Sequence, residues 1–197
     1  FLAGLITEDG IIDGGTASRT DRILGEGRTF SYILHRGEPE IRVTQADVRA
    51  IQLAKGALYA GAQLLIDKLG KPVERIVLAG AFGSHIDAKY AMVLGLIPDC
   101  PLDMVASVGN AAGTGARIAL LNRHSREEIK QIVSGIEKIE TAVEPRFQEH
   151  FVGAMAFPHK TAPFPNLEKA ITLPPKKSAH SSNDDGETGG RRRRRRC

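Results

Sequence analysis

Two glycine-rich turns carry the residue types best suited to hold a ligand. Gly80-Ala81-Phe82-Gly83 follows the apolar run Arg75 to Ala79, and Gly109-Asn110-Ala111-Ala112-Gly113 follows the run Asp103 to Val108. Both runs have the length and composition of strands buried in a sheet. Ligands of open α/β sheets bind where such strands end, because glycine exposes bare backbone there and helix amides can face phosphate. The pair predicts a ligand site, and close packing of helix on sheet is the alternative explanation for each glycine.

Several single residues near these turns have more than one interpretation. Phe82 suits either the underside of a purine or the core. Asn110 can bond its own backbone or reach a ribose. Asp87 is predicted to cap a helix. Lys55 either faces the cleft or lays its stem along a helix surface, and the second alternative is favoured. Cys100 has no basic neighbour in sequence, so we expect an unreactive thiol.

A long helix is predicted from Thr44 to Leu69. Thr44 and Asp47 have the spacing of a capping box, and Gly70 is a typical stop signal. Apolar or small residues recur along it at spacings of three and four, which predicts one continuous packing stripe. The members of this predicted stripe are Val48, Ile51, Ala54, Leu58, Gly61 and Leu65.

The predicted strands and helices alternate, which favours an α/β fold. Residues 13–28 are expected to form a loop, and residues 29–34 and 40–43 a hairpin. We expect strands near 30–35, 41–43, 75–79 and 104–107 to share one sheet, with the long helix on its face. Further helices are predicted at 87–94, 111–122 and 144–155, and from a cap at Ser125 to about 141. Residues 159–174 are expected to be extended, and 175–197 to be disordered.

Composition excludes several classes of protein. The 197 residues suffice for one domain with a core. The net charge of +4 comes from the tail, where Arg191 to Arg196 stand, so we expect no specific nucleic-acid binding. Two cysteines without a CxxC pair predict no zinc or iron–sulfur site in this segment. No apolar run is long enough to span a bilayer, and we expect a cytoplasmic protein without a membrane anchor.

Four stretches together resemble a known family. They are Val43 to Arg49, Gln52 to Lys55, Leu78 to Gly83, and Val108 to Ala116. In this order and spacing they resemble the carboxyl-terminal region of the reductive activators of corrinoid proteins. That region belongs to the superfamily of acetate and sugar kinases, Hsc70 and actin, so the resemblance implies a ribonuclease-H-like lobe with a mixed sheet flanked by helices.

The resemblance implies a role for each turn. Gly80, Ala81, Phe82 and Gly83 would form the adenosine-binding turn, and Gly109, Asn110 and Gly113 would belong to a turn connecting the halves of the ATP cleft. The family's proteins use ATP hydrolysis, with Mg²⁺, to drive electron transfer from an amino-terminal [2Fe-2S] domain to an inactive corrinoid. Asp13-Gly14-Gly15-Thr16 imitates the superfamily's phosphate-binding motif, but no convincing strand precedes it, so contact with phosphate is not favoured.

The resemblance also defines what we expect of the chain as a whole. It begins at Phe1, without Met, inside an apolar stretch, so we expect a piece of a longer polypeptide with residues 1–158 as its lobe. The phosphate-gripping turns and the catalytic residues are expected upstream. We therefore do not expect this piece alone to hydrolyse ATP. The expected partners are ATP and a corrinoid protein, with a homodimer left open. The alternatives are a small-molecule kinase of the same superfamily and a non-enzymatic scaffold lobe.

Overall fold

A computed structural model describes residues 1–80 and 85–175, and these ranges confirm the α/β class. The elements follow one another along the chain, with a short 3-10 turn, Gly14–Ser18, before the first strand. In order they are β1 (Ile23–Glu26), β2 (Thr29–His35), β3 (Ile41–Val43), α1 (Gln45–Leu69), β4 (Ile76–Ala79), α2 (Ala88–Leu94), β5 (Val105–Gly109), α3 (Ala111–Leu121), α4 (Arg123–Ser134), α5 (Pro145–Gly153) and α6 (Pro165–Ala170).

The strands form two sheets, so the prediction of one shared sheet is wrong. β1, β2 and β3 make an antiparallel meander, whereas β4 and β5 make a separate parallel pair. The 25 residues of α1 stand between them, and at 1.5 Å per residue this helix carries the chain about 37 Å from one sheet toward the other. The hairpin of β2 and β3 is confirmed, but β1 lies inside the stretch that was expected to be a loop.

The ends of α1 follow the sequence signals. Thr44 accepts the amide of Asp47 through its hydroxyl, and the Asp47 carboxylate accepts the Thr44 amide at 2.8 Å. Both orphan donors of the first turn are satisfied reciprocally, as in a capping box. Gly70 ends the helix with a φ of 62°, a left-handed conformation that glycine adopts without strain.

The predicted packing stripe of α1 is on the wrong side of the helix. Val48 is buried, but Ile51, Leu58 and Leu65 are about half exposed. The helix instead buries a face that includes two polar residues. The buried side chains are Val48, Gln52, Lys55, Tyr59, Ala60 and Leu64. The reason is that residues 155–158 pass beside Gln52 and Lys55 and present backbone carbonyls that these side chains bind.

The main core joins α1, α2 and the carboxyl-terminal segment. Tyr59 of α1, Met92 of α2, and Phe164 and Leu167 near α6 are all buried in one cluster. The Asp99 carboxylate caps α6 by accepting the amides of Asn166 and Leu167 at 3.0 Å each. Residues 159–174 therefore contain a helix and contribute to the core, whereas an extended segment was expected. Whether a domain ends at residue 158 stays a prediction.

Helices α3 and α4 are packed far more loosely. No side chain of either helix is buried, and Leu120 and Leu121 are 76% and 80% exposed. Asn122, not Ser125, caps α4, because its side chain accepts the amides of His124 and Ser125. The helix also ends at Ser134, earlier than predicted.

The expectations about membrane spans and about the arginine-rich tail can be compared only with the residues that the structure describes. None of the helices within them is long and apolar enough to cross a membrane. The arginine-rich tail predicted at 175–197 lies outside them, apart from Pro175.

Candidate functional site

The parallel pairing of β4 and β5 brings the two glycine turns together. Ile76 pairs with Val105 and Leu78 with Ser107, so both strands run in one direction and end at the same edge. At that edge the Gly80 amide donates a hydrogen bond to the Gly109 carbonyl, with a nitrogen–oxygen distance of 2.7 Å. The predicted convergence of the turns is thus observed at their first residues. Ala81, Phe82 and Gly83 lie outside the described residues.

Backbone conformation, not packing, explains the glycines at this edge. Gly80 and Gly109 have φ values of 107° and 64°, which strain any residue that carries a Cβ. A Cβ built on either glycine meets no atom of the described residues within 4 Å. Among the described residues, close packing of helix on sheet therefore does not account for them. Their positive φ values favour glycine, and no atom of the described residues fills the space beside either one.

Asn110 and Gly113 build the entrance to α3. Asn110 is the N-cap residue, and its side-chain oxygen accepts the Gly113 amide at 2.9 Å. A Cβ on Gly113 would lie 2.7 Å from the Asn110 side-chain nitrogen, so a larger residue at this position would displace the capping side chain. The Asn110 oxygen bonds its own turn, which was one of the two alternatives drawn from the sequence. Its side chain is exposed at the edge where Gly80 and Gly109 meet.

Lys55 occupies neither of its predicted positions. Its side chain is fully buried, and the ammonium nitrogen donates to the carbonyls of Ala156 and Pro158 and lies 5.0 Å from the Phe157 ring centre. Burial lowers the pKa of Lys55 to about 7, because the charged form loses its hydration. Lys55 thus anchors residues 156–158 to α1 and does not line the β4–β5 edge.

Two glutamines on the same face of α1 were missed by sequence reasoning. The Gln45 side chain accepts the Ile12 amide at 2.9 Å and donates to the Gly10 carbonyl at 2.7 Å. Gln52 donates to the Asp9 and Met155 carbonyls at 3.0 and 2.7 Å. The signal was present, since Gln45, Gln52 and Lys55 recur at spacings of seven and three and so share one helix face.

Asp87 and Cys100 are the remaining single residues for which the sequence made a prediction. Asp87 caps α2, as predicted, by accepting the amides of Lys89 and Tyr90 at 2.8 and 3.2 Å. Cys100 is fully buried, and burial together with the nearby carboxylates raises the pKa of its thiol. A raised pKa keeps the thiol protonated, which agrees with the expected lack of reactivity.

The imitation phosphate motif has a structural role at each position. The Asp13 carboxylate accepts the Gly15 amide at 3.0 Å, and the buried Thr16 hydroxyl donates to the Asp13 carbonyl at 2.6 Å. A Cβ on Gly14 would lie 2.1 Å from the Phe30 ring, so any larger residue would force the ring to move. The motif is explained by the turn it forms.

Comparison with known proteins connects this arrangement to a family. Residues 1–168 match the family model described as the C-terminal domain of RACo, the ASKHA domain. The corrinoid activation enzyme RamQ of Eubacterium limosum is 40% identical over 131 residues, which make up 64% of this chain and 22% of that protein. A solved structure of a reductive activator for corrinoid, iron-sulfur protein is 31% identical with a TM-score of 0.70.

These matches confirm the resemblance and set its extent. The solved structure covers 80% of this chain, while the chain covers 26% of that protein, so it spans about a quarter of the length of the relatives it matches. Neither relative is described as a kinase of small molecules. The family model extends over most of the sequence, and the chain therefore belongs to the family of C-terminal ASKHA domains of RACo.

Proposed function

We propose that this chain is part of an ATP-dependent reductive activator of a corrinoid protein, and that the β4–β5 edge forms the adenosine side of its nucleotide cleft. The observation that carries the proposal is the 2.7 Å hydrogen bond from the Gly80 amide to the Gly109 carbonyl, which joins the first residues of the two glycine turns. Family membership and the descriptions of the two relatives support the activity.

The residues at this edge fit a nucleotide in three respects. No atom of the described residues lies within 4 Å of a Cβ built on Gly80 or Gly109, which favours the approach of a ribose or base to this backbone. The Asn110 side chain is exposed, and its amide nitrogen is a donor suited to a ribose oxygen. The 11-residue helix α3 begins here, so the positive end of its dipole favours a nearby anion. Gly80 to Gly83, Gly109, Asn110 and Gly113 are the residues to which we assign nucleotide contact.

Other parts of the activity are assigned outside this chain. ATP with Mg²⁺ supplies phosphoryl-transfer chemistry, which requires phosphate-gripping residues that we place elsewhere in a longer polypeptide. A [2Fe-2S] cluster needs four ligands, and the sequence has two cysteines, of which Cys100 is buried in the core. The cluster would therefore belong to another domain. We propose a cytoplasmic protein that acts on a corrinoid protein, and the proposal does not depend on whether the chain forms a homodimer.

A charge change at the N-cap of α3 tests the nucleotide site without disturbing the fold. Asn110→Asp keeps an oxygen acceptor for the Gly113 amide, so the cap is retained. The new negative charge at the edge repels ATP, and we expect calorimetric titration with MgATP to show at least about tenfold weaker binding.

The chain offers a matched control at the next helix. Asn122 caps α4 through its side-chain oxygen, as Asn110 caps α3, so Asn122→Asp introduces the same charge in the same local setting. We expect Asn122→Asp to bind ATP as the wild type does. Equal affinity of wild type and Asn110→Asp, with unchanged circular dichroism spectra, would contradict a nucleotide site at this edge. Substitution of Gly80 is less informative, because its φ of 107° strains any replacement.

A further inference from the structure

A cavity of about 570 Å³ is lined by residues between positions 7 and 49. These residues belong to the amino-terminal part of the chain and the first turns of α1, whereas β4 and β5 follow α1 in sequence. We call it the hairpin cavity, because the turn between β1 and β2 forms one of its walls. Its lining includes Ile11, Gly14, Arg28, Phe30, Gln45 and Arg49. Its volume is within the range of small-molecule sites. None of the residues assigned above to nucleotide contact lines it.

The local structure fixes the cavity walls. The amino-terminal segment folds back on itself through a bridge between Ile6 and Ile12, and Gln45 binds that segment to α1 by two hydrogen bonds. Phe30 of β2 lies against Gly14, where no side chain intervenes. The cavity is therefore bounded by the amino-terminal segment, α1 and β2. Hydrogen bonds join the first two, and the Phe30 ring packs β2 against Gly14.

The floor of the cavity is apolar. Ile12 is buried beneath it, and Phe30 is partly covered by its contact with Gly14. Ile11 lines the same space but is 51% exposed, although neighbouring Ile12 is 1% exposed. An exposed isoleucine and an aromatic ring in one lining offer apolar contact area to a ligand.

Two arginines, Arg28 and Arg49, also line the cavity, and both are exposed to solvent. Arg28 belongs to the two-residue turn Gly27-Arg28 between β1 and β2, in which Gly27 has a φ of 65°. Arg49 is one helical turn beyond Gln45, so both project from one face of α1. It donates one hydrogen bond to the Gln52 side chain at 2.9 Å, and a guanidinium has five N–H donors in all.

The charge balance of the cavity is positive. Of the described residues that line it, Asp13 carries the acidic side chain, and its carboxylate is engaged by the Gly15 amide at 3.0 Å. The described lining thus contains two arginines and one acidic residue. Guanidinium forks match carboxylate and phosphate oxygens, with which they form short, charge-assisted bonds.

We propose that the hairpin cavity binds a small organic anion, in which an apolar body rests on Ile11 and Phe30 and a carboxylate or phosphate group is bound by Arg28 and Arg49. This site is separate from the nucleotide site and does not rest on the proposed function. The anion is recognised by the arginines, and the neighbouring Asp13-Gly14-Gly15 turn supplies shape.

The experiment compares three probes of similar shape on the 197-residue chain. They are 4-phenylbutyrate, phenyl phosphate and the neutral 4-phenylbutyramide, and binding is followed by saturation-transfer NMR titration. We expect at least one anion to bind about tenfold or more tightly than the amide, because the amide forms no charge-assisted bonds with arginine. The tighter of the two anions tells whether the natural ligand carries a carboxylate or a phosphate.

Substitutions place the binding at the cavity. Arg28→Gln with Arg49→Gln removes both guanidinium groups, and we expect at least about tenfold weaker binding of the preferred anion. The control pair, Arg75→Gln with Arg126→Gln, changes the net charge equally at exposed positions away from the cavity and should bind like wild type. Ile11→Ser removes an exposed apolar contact, so it should weaken binding while leaving the fold intact.

Two results would overturn the proposal. One is equal binding of the amide and both anions, which would leave no role for the arginines. The other is wild-type affinity in both the double arginine variant and Ile11→Ser, with native circular dichroism spectra, which would locate the binding elsewhere.

Discussion

Helix α1 and the pair α3–α4 are held in the structure in different ways. Around α1, the side chains of Gln52 and Lys55 reach across to backbone carbonyls of residues 155–158, and Leu64 is 2% exposed. In α3 and α4 no side chain is buried, Leu121 is 80% exposed, and the visible local constraints are the asparagine caps at the helix starts.

This difference separates stability from ligand contact. The α1 region satisfies its buried polar groups inside the protein, as a structural core must. The β5–α3 region instead combines positive-φ Gly109, whose added Cβ would meet no described atom within 4 Å, with exposed apolar side chains such as Leu120 and Leu121, and exposed apolar surface is a feature of binding surfaces. We therefore expect substitutions in the first region to change the free energy of unfolding, and substitutions in the second to change binding.

The largest expected contrast comes from one chemical change made in both regions. Leu64→Ala should lower the free energy of unfolding by about 2–5 kcal/mol, because it leaves a cavity in the core. Leu121→Ala removes the same atoms from an exposed position and should change it by less than about 0.5 kcal/mol. Urea denaturation followed by circular dichroism measures both. Similar losses for the two variants would mean that α3 is packed as tightly as α1.

A smaller effect is expected from the protonation of Lys55. Its pKa is about 7 in the folded protein and 10.5 when exposed, so between these values the unfolded chain holds a proton that the folded chain lacks. Stability then rises with pH, and the stability gained is lost again as pH falls toward 7. From pH 7 to pH 9 we expect the free energy of unfolding to increase by about 2 kcal/mol.

Lys55→Met isolates this contribution from other titrating groups. The variant keeps much of the side-chain volume but has no titrating nitrogen, so its stability should lack the rise between pH 7 and pH 9. It should also be less stable than wild type at pH 9, since the Ala156 and Pro158 carbonyls lose their donor. Parallel pH profiles of wild type and Lys55→Met would show that Lys55 is charged or exposed throughout.

Element boundaries were predictable where a local signal exists. Thr44, Asp47 and Gly70 define α1 because caps and left-handed stops depend on neighbouring residues only. The buried face of α1 was not predictable from apolar periodicity, because the segment packed against it offers carbonyls that favour Gln52 and Lys55 over Ile51 and Leu58.

Long-range arrangement was only partly predictable. The meeting of Gly80 and Gly109 follows from the general rule for parallel strands, whose carboxyl ends share an edge. The division into two sheets does not follow from any strand's own sequence. It depends on the position at which the chain leaves α1. The sequences of β3 and β4, which flank this helix, do not indicate how far apart the two strands lie.

The most direct test of the nucleotide site is an NMR titration of the nitrogen-15-labelled chain with MgATP. We expect weak binding, because the adenosine side offers few charge-assisted bonds. The largest amide shift changes should appear at Gly80, Gly109, Asn110 and Gly113, with the amides of Gln52 and Lys55 nearly unchanged. Magnesium chloride at equal ionic strength is the control. Shifts no larger than this control, or largest at residues away from the β4–β5 edge, would contradict a nucleotide site there.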